Sequence, residues 1–264
     1  MRNFRIFLLH CQQILEYKLR CFIWFLSPIQ NCLILILFWL GVFSGQKQIA
    51  GWTMGSITAY YFLLTIASSM LNSHIEGDVS EFDIKKGDLV RYLLQPYPYF
   101  WRKFFEEMPW RVLQGSYGII LLTGSILIFG NFLQLNINLL NLICSLIMII
   151  LAYFISFTYK MNLGFTSFWF EDARGFHQLL EVIAIILCGE VVPLTLAPKY
   201  VQQIANLTPF PYIIYYPVTV FQGKYILTDM LKIISVQLFW LSALLILKEI
   251  LWKKGIKSFT ATGQ

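Results

Sequence analysis

Long apolar segments alternate with short polar ones along most of the chain. About 20 consecutive apolar residues let one α-helix cross the hydrocarbon core of a bilayer. Six segments fit this pattern, and we predict a membrane-spanning helix for each: 21–43, 54–71, 112–129, 137–157, 179–197 and 230–252. The predicted fold class is therefore an all-α integral membrane protein with six transmembrane helices. Small residues recur in the second segment, which favours close packing and a central position in the bundle.

The composition supports the same class. Of the 264 residues, 58% are hydrophobic and 13% are charged, whereas a soluble domain carries about 25% charged residues. So little charge does not cover the surface of a soluble globular protein. Six spans leave a modest remainder for loops, so we expect one membrane domain over residues 1–264 and no separate soluble catalytic domain. The five cysteines lack the paired spacing of a metal site and indicate no disulfide framework.

Three segments outside the predicted spans have patterns of their own. Residues 1–20 are basic and place apolar side chains at helical spacing, which predicts an amphipathic helix in the membrane interface. Alternatively, this helix only extends the first span. Segment 198–229 is rich in proline and tyrosine, and we expect it to lie at the interface or dip into it. Residues 253–264 form a polar tail.

The distribution of basic residues predicts the orientation. Six spans place both termini on one side, together with the loops after the second and fourth spans. That side carries 16 of the 20 lysines and arginines, and the other side carries four. Because Lys and Arg are retained in short cytoplasmic loops, both termini and the loop after the second span are predicted to be cytoplasmic.

The loop at 73–111 holds much of the charge of the chain. Twelve of the 34 charged residues (20 basic and 14 acidic) fall between residues 72 and 110. An acidic helix is predicted to continue the second span, with Ile75, Val79, Phe82 and Ile84 on one face. Lys85 and Lys86 suit its last turn, and Gly87 suits a left-handed stop.

A second, shorter helix is predicted directly after this stop. Asp88 is expected to be its N-cap, and the helix then covers residues 89–94 and ends before Pro96. An aromatic segment that begins at Tyr99 is expected to lead the chain back along the membrane surface. Two short capped helices would make this loop a rigid cytoplasmic knob. The alternative is an ordinary solvated loop.

Motifs of catalysis are absent from the sequence. The phosphate-binding GxxxxGK[ST], HExxH, CxxC and GxSxG patterns do not occur, so ATP hydrolysis, a metal site and a serine nucleophile have no support. The basic residues are scattered over several loops, which argues against nucleic acid. The chain is therefore predicted to be no enzyme and to bind no metal and no cofactor of its own.

Two carboxylates lie in the predicted fifth span. Glu181 is near its start, and Glu190 is near its outer end. Charged groups in a membrane are costly and are often functional, but no lysine or arginine inside the spans is expected to pair with these two. Two interpretations of Glu190 stay open: a functional carboxylate, or a satisfied residue at a helix end beside Pro193.

Two stretches carry a resemblance to a known family. The first is GDLVRYLLQP (87–96), preceded by the acidic helix and followed by the aromatic segment. The second is 165–225, in which a turn of small residues and proline ends the fifth span ahead of a tyrosine- and proline-rich segment. Its characteristic residues are Gly189, Pro193, Pro198, Pro209, Phe210, Tyr216, Pro217 and Gly223. In order and spacing, nearly the whole chain resembles the ABC-2 type transporter permeases, in the bacterial export branch without an ATPase domain.

The resemblance implies a type V exporter-like permease fold in the bacterial cytoplasmic membrane. It implies as partners a cytoplasmic ATP-binding-cassette ATPase dimer, which binds ATP and Mg, a second permease copy or a sister permease, and membrane lipids. Residues 1–20 match the elbow helix of the family, and 198–229 match its outer re-entrant helices. The loop at 73–111 would carry the coupling helix, through Gly87, Asp88, Leu89, Arg91, Tyr92, Leu93 and Pro96. The implied translocation-path or outer-gate residues are Glu190, Pro193, Phe210 and Tyr216. Gln95 departs from the family pattern, in which Arg is expected before the proline.

The sequence therefore predicts the membrane-spanning subunit of an ATP-driven exporter for an amphipathic or lipid-like substrate. A secondary carrier working without ATP is one alternative, and it would favour repeated half-sequences and an intramembrane charge pair. A membrane-embedded lipid-modifying enzyme is the other, and it would need a cluster of His, Asp or Arg at one depth. The sequence reveals neither pattern.

Overall fold

The computed structural model describes residues 2–16, 18–133, 138–170 and 172–259. These residues form helices and connecting turns without a β-strand, which confirms the all-α prediction. The α-helices are α1 (Arg2–Glu16), α2 (Lys18–Val42), α3 (Met54–Leu71), α4 (Ile75–Gly77), α5 (Leu89–Leu93), α6 (Tyr99–Leu133), α7 (Leu139–Phe165), α8 (Arg174–Leu187), α9 (Lys199–Asn206), α10 (Phe210–Ile213), α11 (Tyr215–Phe221) and α12 (Leu227–Ser258). A π-helix (Asp78–Lys85) continues α4, and 3₁₀ turns lie at Thr166–Phe168 and Leu194–Leu196. The end of the predicted tail, 260–264, lies outside the described residues.

Four helical segments in the described ranges are long and apolar enough to cross a membrane. They are Met54–Lys85, Tyr99–Ile128, Leu139–Phe168 and Leu227–Ser258. They contain the predicted second and sixth spans and overlap most of the predicted third and fourth spans. The predicted first span lies in α2, where Ile29–Val42 forms a shorter apolar helix. The multi-pass membrane architecture is thus confirmed, whereas the count of six spans is not.

The predicted fifth span, 179–197, is wrong as a single helix. Helix α8 ends at Leu187, after 14 residues or about 21 Å. Gly189 then adopts a φ of +78°, a left-handed conformation that glycine tolerates best. The hydroxyl of Tyr60 donates to the Gly189 carbonyl at 2.8 Å, and that of Tyr61 donates to the Val191 carbonyl at 2.8 Å. Residue 193, which would donate to the Gly189 carbonyl in a continuing helix, is a proline without an N–H. The Tyr60 hydroxyl supplies the donor that this carbonyl would otherwise lack.

Helix α6 begins well before the predicted start of the third span at residue 112. It runs for 35 residues, from Tyr99 through Pro109 to Leu133, so the predicted return along the surface is instead the first part of a long helix. Its charged residues are compatible with a helix because they form ion pairs with other residues of α6. Arg102 lies 2.5 Å from Glu106, and Arg111 lies 2.8 Å from Glu107, both at i,i+4 spacing.

Helix α3 occupies the centre of the bundle, as the small residues of the second span predict. It packs against α2, α6 and α7, and its Ile57, Tyr60 and Tyr61 are buried. On α6, an added Cβ at Gly118 would lie 2.5 Å from the Ile66 side chain. Gly118 therefore permits the close approach of α6 to α3.

Helix α12 is joined to the core by buried amides. Gln237 donates to the carbonyl oxygens of Met148 at 3.1 Å and Tyr212 at 2.8 Å, and Asn162 donates to the Leu244 carbonyl at 3.1 Å. Because Tyr212 belongs to α10, Gln237 also fixes the segment at 198–229. That segment contains three short helices, α9 to α11, and the first residues of α12. Its position at the membrane interface stays a prediction.

The amino-terminal segment contains a helix, α1, which ends at Glu16, whereas residues 18–20 of the predicted helix 1–20 belong to α2. In α1, Ile6 is buried and Phe4 is exposed, and the helix packs against α6. Its location in the membrane interface stays a prediction. Cys11, Cys32, Cys144 and Cys188 are free thiols, as their spacing predicts.

Candidate functional site

The loop between α3 and α6 contains the short helix that the sequence predicts. Helix α5 ends at Leu93, one residue earlier than expected. Gly87 has a φ of +80°, which confirms the left-handed stop. Asp88 occupies the N-cap position, as predicted, but its backbone is helical and its side chain makes no capping hydrogen bond. Its carboxylate instead lies 3.9 Å from the Arg91 guanidinium.

The predicted coupling residues divide into an inner and an outer set. Leu89 and Tyr92 are buried. Their i,i+3 spacing places both side chains on the same face of α5. Arg91 and Pro96 are exposed, Leu93 is 43% exposed, and Leu94 is 80% exposed. Leu94 is not among the coupling residues predicted from the sequence. The signal for it is that Leu89 and Tyr92 share the buried face, so the two leucines after Tyr92 face outward.

The acidic helix before α5 has a different face from the predicted one. Ile75, Val79 and Ile84 are buried, but Phe82 is 47% exposed. The π-helix explains this, because its i→i+5 hydrogen bonds bring Val79 and Ile84 onto one side. Phe82, three residues after Val79, therefore faces outward, and the Lys86 ammonium lies 4.4 Å from its ring centre.

A buried ion pair joins the π-helix to α6. The Lys103 ammonium lies 2.5 Å from the Asp83 carboxylate, and both side chains are almost fully buried. The Tyr99 hydroxyl donates to the same carboxylate at 2.5 Å. Tyr92 of α5 lies against this pair, with its ring centre 4.7 Å from the Lys103 ammonium. Burial raises the pKa of the Tyr92 hydroxyl, so it remains a donor, and it donates to Glu106 at 3.3 Å.

A second network joins α6 to the end of α3. Glu107 accepts a hydrogen bond from the Ser73 hydroxyl at 2.9 Å and one from Arg111 at 2.8 Å. Arg111 also donates to the Ser69 carbonyl at 3.1 Å, which is one of the last carbonyls of α3. Residues 72–74 interrupt the helix between α3 and α4, and this network bridges the interruption.

A third network contains a lysine that the sequence places outside the spans. Because α7 continues to Phe165, Lys160 lies within the apolar segment Leu139–Phe168. Its buried ammonium lies 2.8 Å from Glu76 and 3.4 Å from Glu181. The expectation that Glu181 has no basic partner within the spans is therefore wrong. Donor atoms of His74, Glu76 and Glu181 lie within 4.8 Å of one another, but the Lys160 ammonium already neutralises part of this cluster.

Glu190 lies near the end of α3 rather than at an isolated helix end. Its Oε1 atom accepts a hydrogen bond from the Asn72 side-chain amide at 3.1 Å.

Pro193 is buried in the turn after α8. The Phe210 carbonyl accepts a bond from the Cys188 thiol at 3.1 Å. The Tyr216 hydroxyl donates to the Asn206 side chain at 2.6 Å. Phe210 is thus linked to the turn that carries Glu190, whereas the bond of Tyr216 lies within the segment at 198–229.

The comparisons with known proteins bear on this arrangement. No curated protein and no solved structure matches the chain significantly. A family model described as "ABC-2 family transporter protein" matches residues 29–263. The match covers most of the 264 residues, including the loop at 73–111, the turn at Gly189 and all four long apolar segments. The chain is therefore a multi-pass membrane protein that belongs to the ABC-2 family of transporter proteins.

Proposed function

We propose that this chain is the membrane-spanning permease subunit of an ATP-driven exporter. The observation that carries the proposal is the exposed pair Leu93 and Leu94 on a short helix whose other face is firmly held. Exposed leucines on a charged loop are unfavourable in water, and such apolar residues are typical of a surface that a protein partner covers. The partner is a cytoplasmic ATP-binding-cassette ATPase, which binds ATP and Mg. The permease itself binds neither.

The proposed coupling begins at the buried face of α5. A partner that pushes on Leu93 and Leu94 moves Leu89 and Tyr92, which pack inside the loop. Tyr92 lies against Lys103, and Lys103 is paired with Asp83, so the push reaches the first turns of α6. Glu107 and Arg111 then pass it to the end of α3. In this scheme Leu93, Leu94, Arg91 and Pro96 contact the ATPase, and Leu89 and Tyr92 position them.

The remaining parts of the proposal follow from family membership and from the charge distribution. The transporter contains two ATPase subunits and a second permease, either another copy of this chain or a sister chain. It lies in a bacterial cytoplasmic membrane, as the resemblance to the family implies. Both termini lie in the cytoplasm, because 16 of the 20 basic residues fall on that side of the predicted topology. An amphipathic or lipid-like substrate suits a protein with so few charged residues.

An exposed leucine on the opposite side of the predicted topology supplies a matched test. Leu94 is 80% exposed and Leu207, after α9, is 78% exposed. Both would be changed to Asp in a tagged permease that is co-expressed with the ATP-binding-cassette subunits of the same genome. We expect Leu94→Asp to reduce recovery of the ATPase and its activity in nanodiscs by at least about tenfold, since an interface anchor contributes about 2 kcal/mol. Leu207→Asp should leave both at the wild-type level.

Two further observations make the result decisive. Size-exclusion profiles and unfolding temperatures would establish that both variants fold, because each substitution is at the surface. The proposal is refuted if Leu94→Asp and the double variant with Leu93→Asp recover the ATPase as well as the unchanged permease does.

A further inference from the structure

The turn after α8 holds one carboxylate in a fixed position. Two residues of α3 and the residue that follows α3 bind this turn: Tyr60 at the Gly189 carbonyl, Tyr61 at the Val191 carbonyl, and Asn72 at the Glu190 carboxylate itself. An added Cβ at Gly189 would lie 3.0 Å from the Tyr60 hydroxyl, so the turn fits closely against α3. The position of Glu190 is therefore preorganised by hydrogen bonds on both sides, as in a binding site.

Glu190 contacts Asn72, where the charged loop begins, but it lies about one helix length from the π-helix of that loop. At the start of α8, Arg174 lies 3.4 Å from Glu81 of the π-helix. The 14 residues of α8 then rise by about 21 Å, which is most of the roughly 30 Å hydrocarbon core. Glu190 follows three residues later. A carboxylate at such a depth is costly and marks a substrate or ion path by default.

The charges around Glu190 leave it without a cation. Across the described ranges, no lysine or arginine forms an ion pair with it, and Asn72 is a neutral donor. Lys160 lies between Glu76 and Glu181 instead. Even there, the second carboxylate oxygen of the buried Glu76 has no hydrogen-bond partner. These three carboxylates and one ammonium have a formal charge of −2 in total, which favours a positively charged guest.

The surface of α8 indicates what kind of cation fits. Val182, Ile183 and Ile186 are exposed on the two turns that lead up to the Glu190 turn. Apolar side chains offer no ligand atoms to an inorganic ion. An organic cation, in contrast, can pack its apolar part against them and place its charge at Glu190.

We infer that Glu190 recognises positive charge in the translocation path, and that the substrates of this transporter are amphipathic organic cations. Asn72 orients the carboxylate, and Tyr60 and Tyr61 hold the turn that carries it. This inference names the substrate class of the proposed exporter and rests on that proposed function.

A pair of probes with the same shape and opposite charge tests the inference. Tetraphenylphosphonium and tetraphenylborate are both four phenyl rings around one central atom. Binding of radiolabelled tetraphenylphosphonium to the full-length permease in nanodiscs would be measured by equilibrium dialysis, without an ATPase. We expect saturable binding of the cation, no saturable binding of the anion, and about ten- to a hundredfold weaker cation binding in Glu190→Gln, since contacts to a charged group contribute this much.

Two control variants separate charge from structure. Glu190→Gln keeps the size of the side chain and an oxygen for Asn72, whereas Glu190→Asp keeps the charge and should retain most of the binding. Glu249→Gln, in α12, removes a half-exposed carboxylate and should bind as the unchanged chain does. Equal cation affinity in the unchanged chain and in Glu190→Gln overturns the inference, as does saturable binding of tetraphenylborate with similar affinity.

A measurement on the unchanged chain keeps the test decisive if a variant fails to fold. Dicyclohexylcarbodiimide modifies carboxyl groups in apolar surroundings, and mass spectrometry locates the adduct. Tetraphenylphosphonium should protect Glu190 from modification, and tetraphenylborate should not. Lack of protection by the cation overturns the inference. Because these measurements need no ATPase, Leu94→Asp should leave them unchanged, so failure here is distinct from failure of the proposed coupling.

Discussion

Lys103→Met isolates the contribution to stability of the buried ion pair that joins α6 to the π-helix. Methionine is similar in length to lysine, so the substitution removes the charge while keeping much of the packing. Asp83 then stays buried with one donor, the Tyr99 hydroxyl, and its Oδ1 atom is already without a partner. Removing one member of a buried pair costs about 3–5 kcal/mol, because the remaining charge is uncompensated. We expect a loss of stability in this range.

Two controls attribute the loss to the buried charge. Lys232 pairs with Asp229 on α12, where the side chains are 78% and 43% exposed, so Lys232→Met should cost no more than about 1 kcal/mol. The double variant Lys103→Met with Asp83→Asn leaves no buried charge and keeps an oxygen for Tyr99. It should recover most of the stability lost in the single variant.

Thermal unfolding of the purified permease in detergent measures these differences. A loss of 3–5 kcal/mol corresponds to a decrease on the order of 10 °C in the midpoint for a chain of this size. The reasoning is refuted if Lys103→Met unfolds at the same temperature as Lys232→Met. If the double variant is as unstable as the single one, the loss comes from the packing of the lysine stem and not from the unpaired Asp83.

Two further predictions concern a close helix contact and the exposed lysine Lys224. An added Cβ at Gly164 would lie 2.7 Å from the Val79 side chain, whereas one at Gly124 meets nothing within 4 Å. Gly164→Ala should therefore destabilise the protein by about 1–3 kcal/mol through overpacking, and Gly124→Ala should not; equal unfolding temperatures would contradict this. Partial desolvation of the ammonium lowers the pKa of Lys224 from 10.5 to about 7, so between these pH values the unfolded chain binds more protons than the folded one. Because the residue is exposed at the surface, solvent screening makes the effect on stability small. Stability should rise slightly with pH across this window, and the rise should be smaller in Lys224→Met; parallel pH profiles would refute the assignment.

The elements that the sequence predicts well are those with a strong local signal. Helices α7 and α12 contain long apolar runs, and their cores lie within the predicted spans. Gly87 adopts the left-handed stop that its position after two lysines indicates. The short helix that follows is correct to within one residue. Each of these features depends on residues that are close in sequence, so periodicity and stop signals suffice to find them.

The features that the sequence misses depend on partners that are distant in sequence. Lys103 is compatible with a helix in the protein interior only because Asp83, twenty residues earlier, neutralises it. Lys160 is likewise buried because Glu76 lies beside it. Without these partners, both lysines favour a solvated loop or a span boundary, and the predicted third and fourth spans accordingly exclude them. The early end of α8 has the same kind of cause, since the hydroxyls that satisfy the Gly189 turn come from α3.

Residues 72–74 connect the loop at 73–111 to Glu190, the carboxylate that is proposed to bind the substrate. Asn72 binds Glu190, and the next residue, Ser73, binds Glu107 of α6. Asn72 is held to α3 by its backbone N–H, which donates to the Ser68 carbonyl, whereas the α4 side of the interruption depends on α6 and Lys160. A movement of α6 relative to α3 therefore acts on adjacent residues, one tied to each helix. We expect such a movement to displace the Asn72 amide more than it bends α3, because residues 72–74 interrupt the helix. In the proposed coupling scheme, the residues that connect α5 to Glu190 are Lys103 and Glu107 of α6, followed by Ser73 and Asn72.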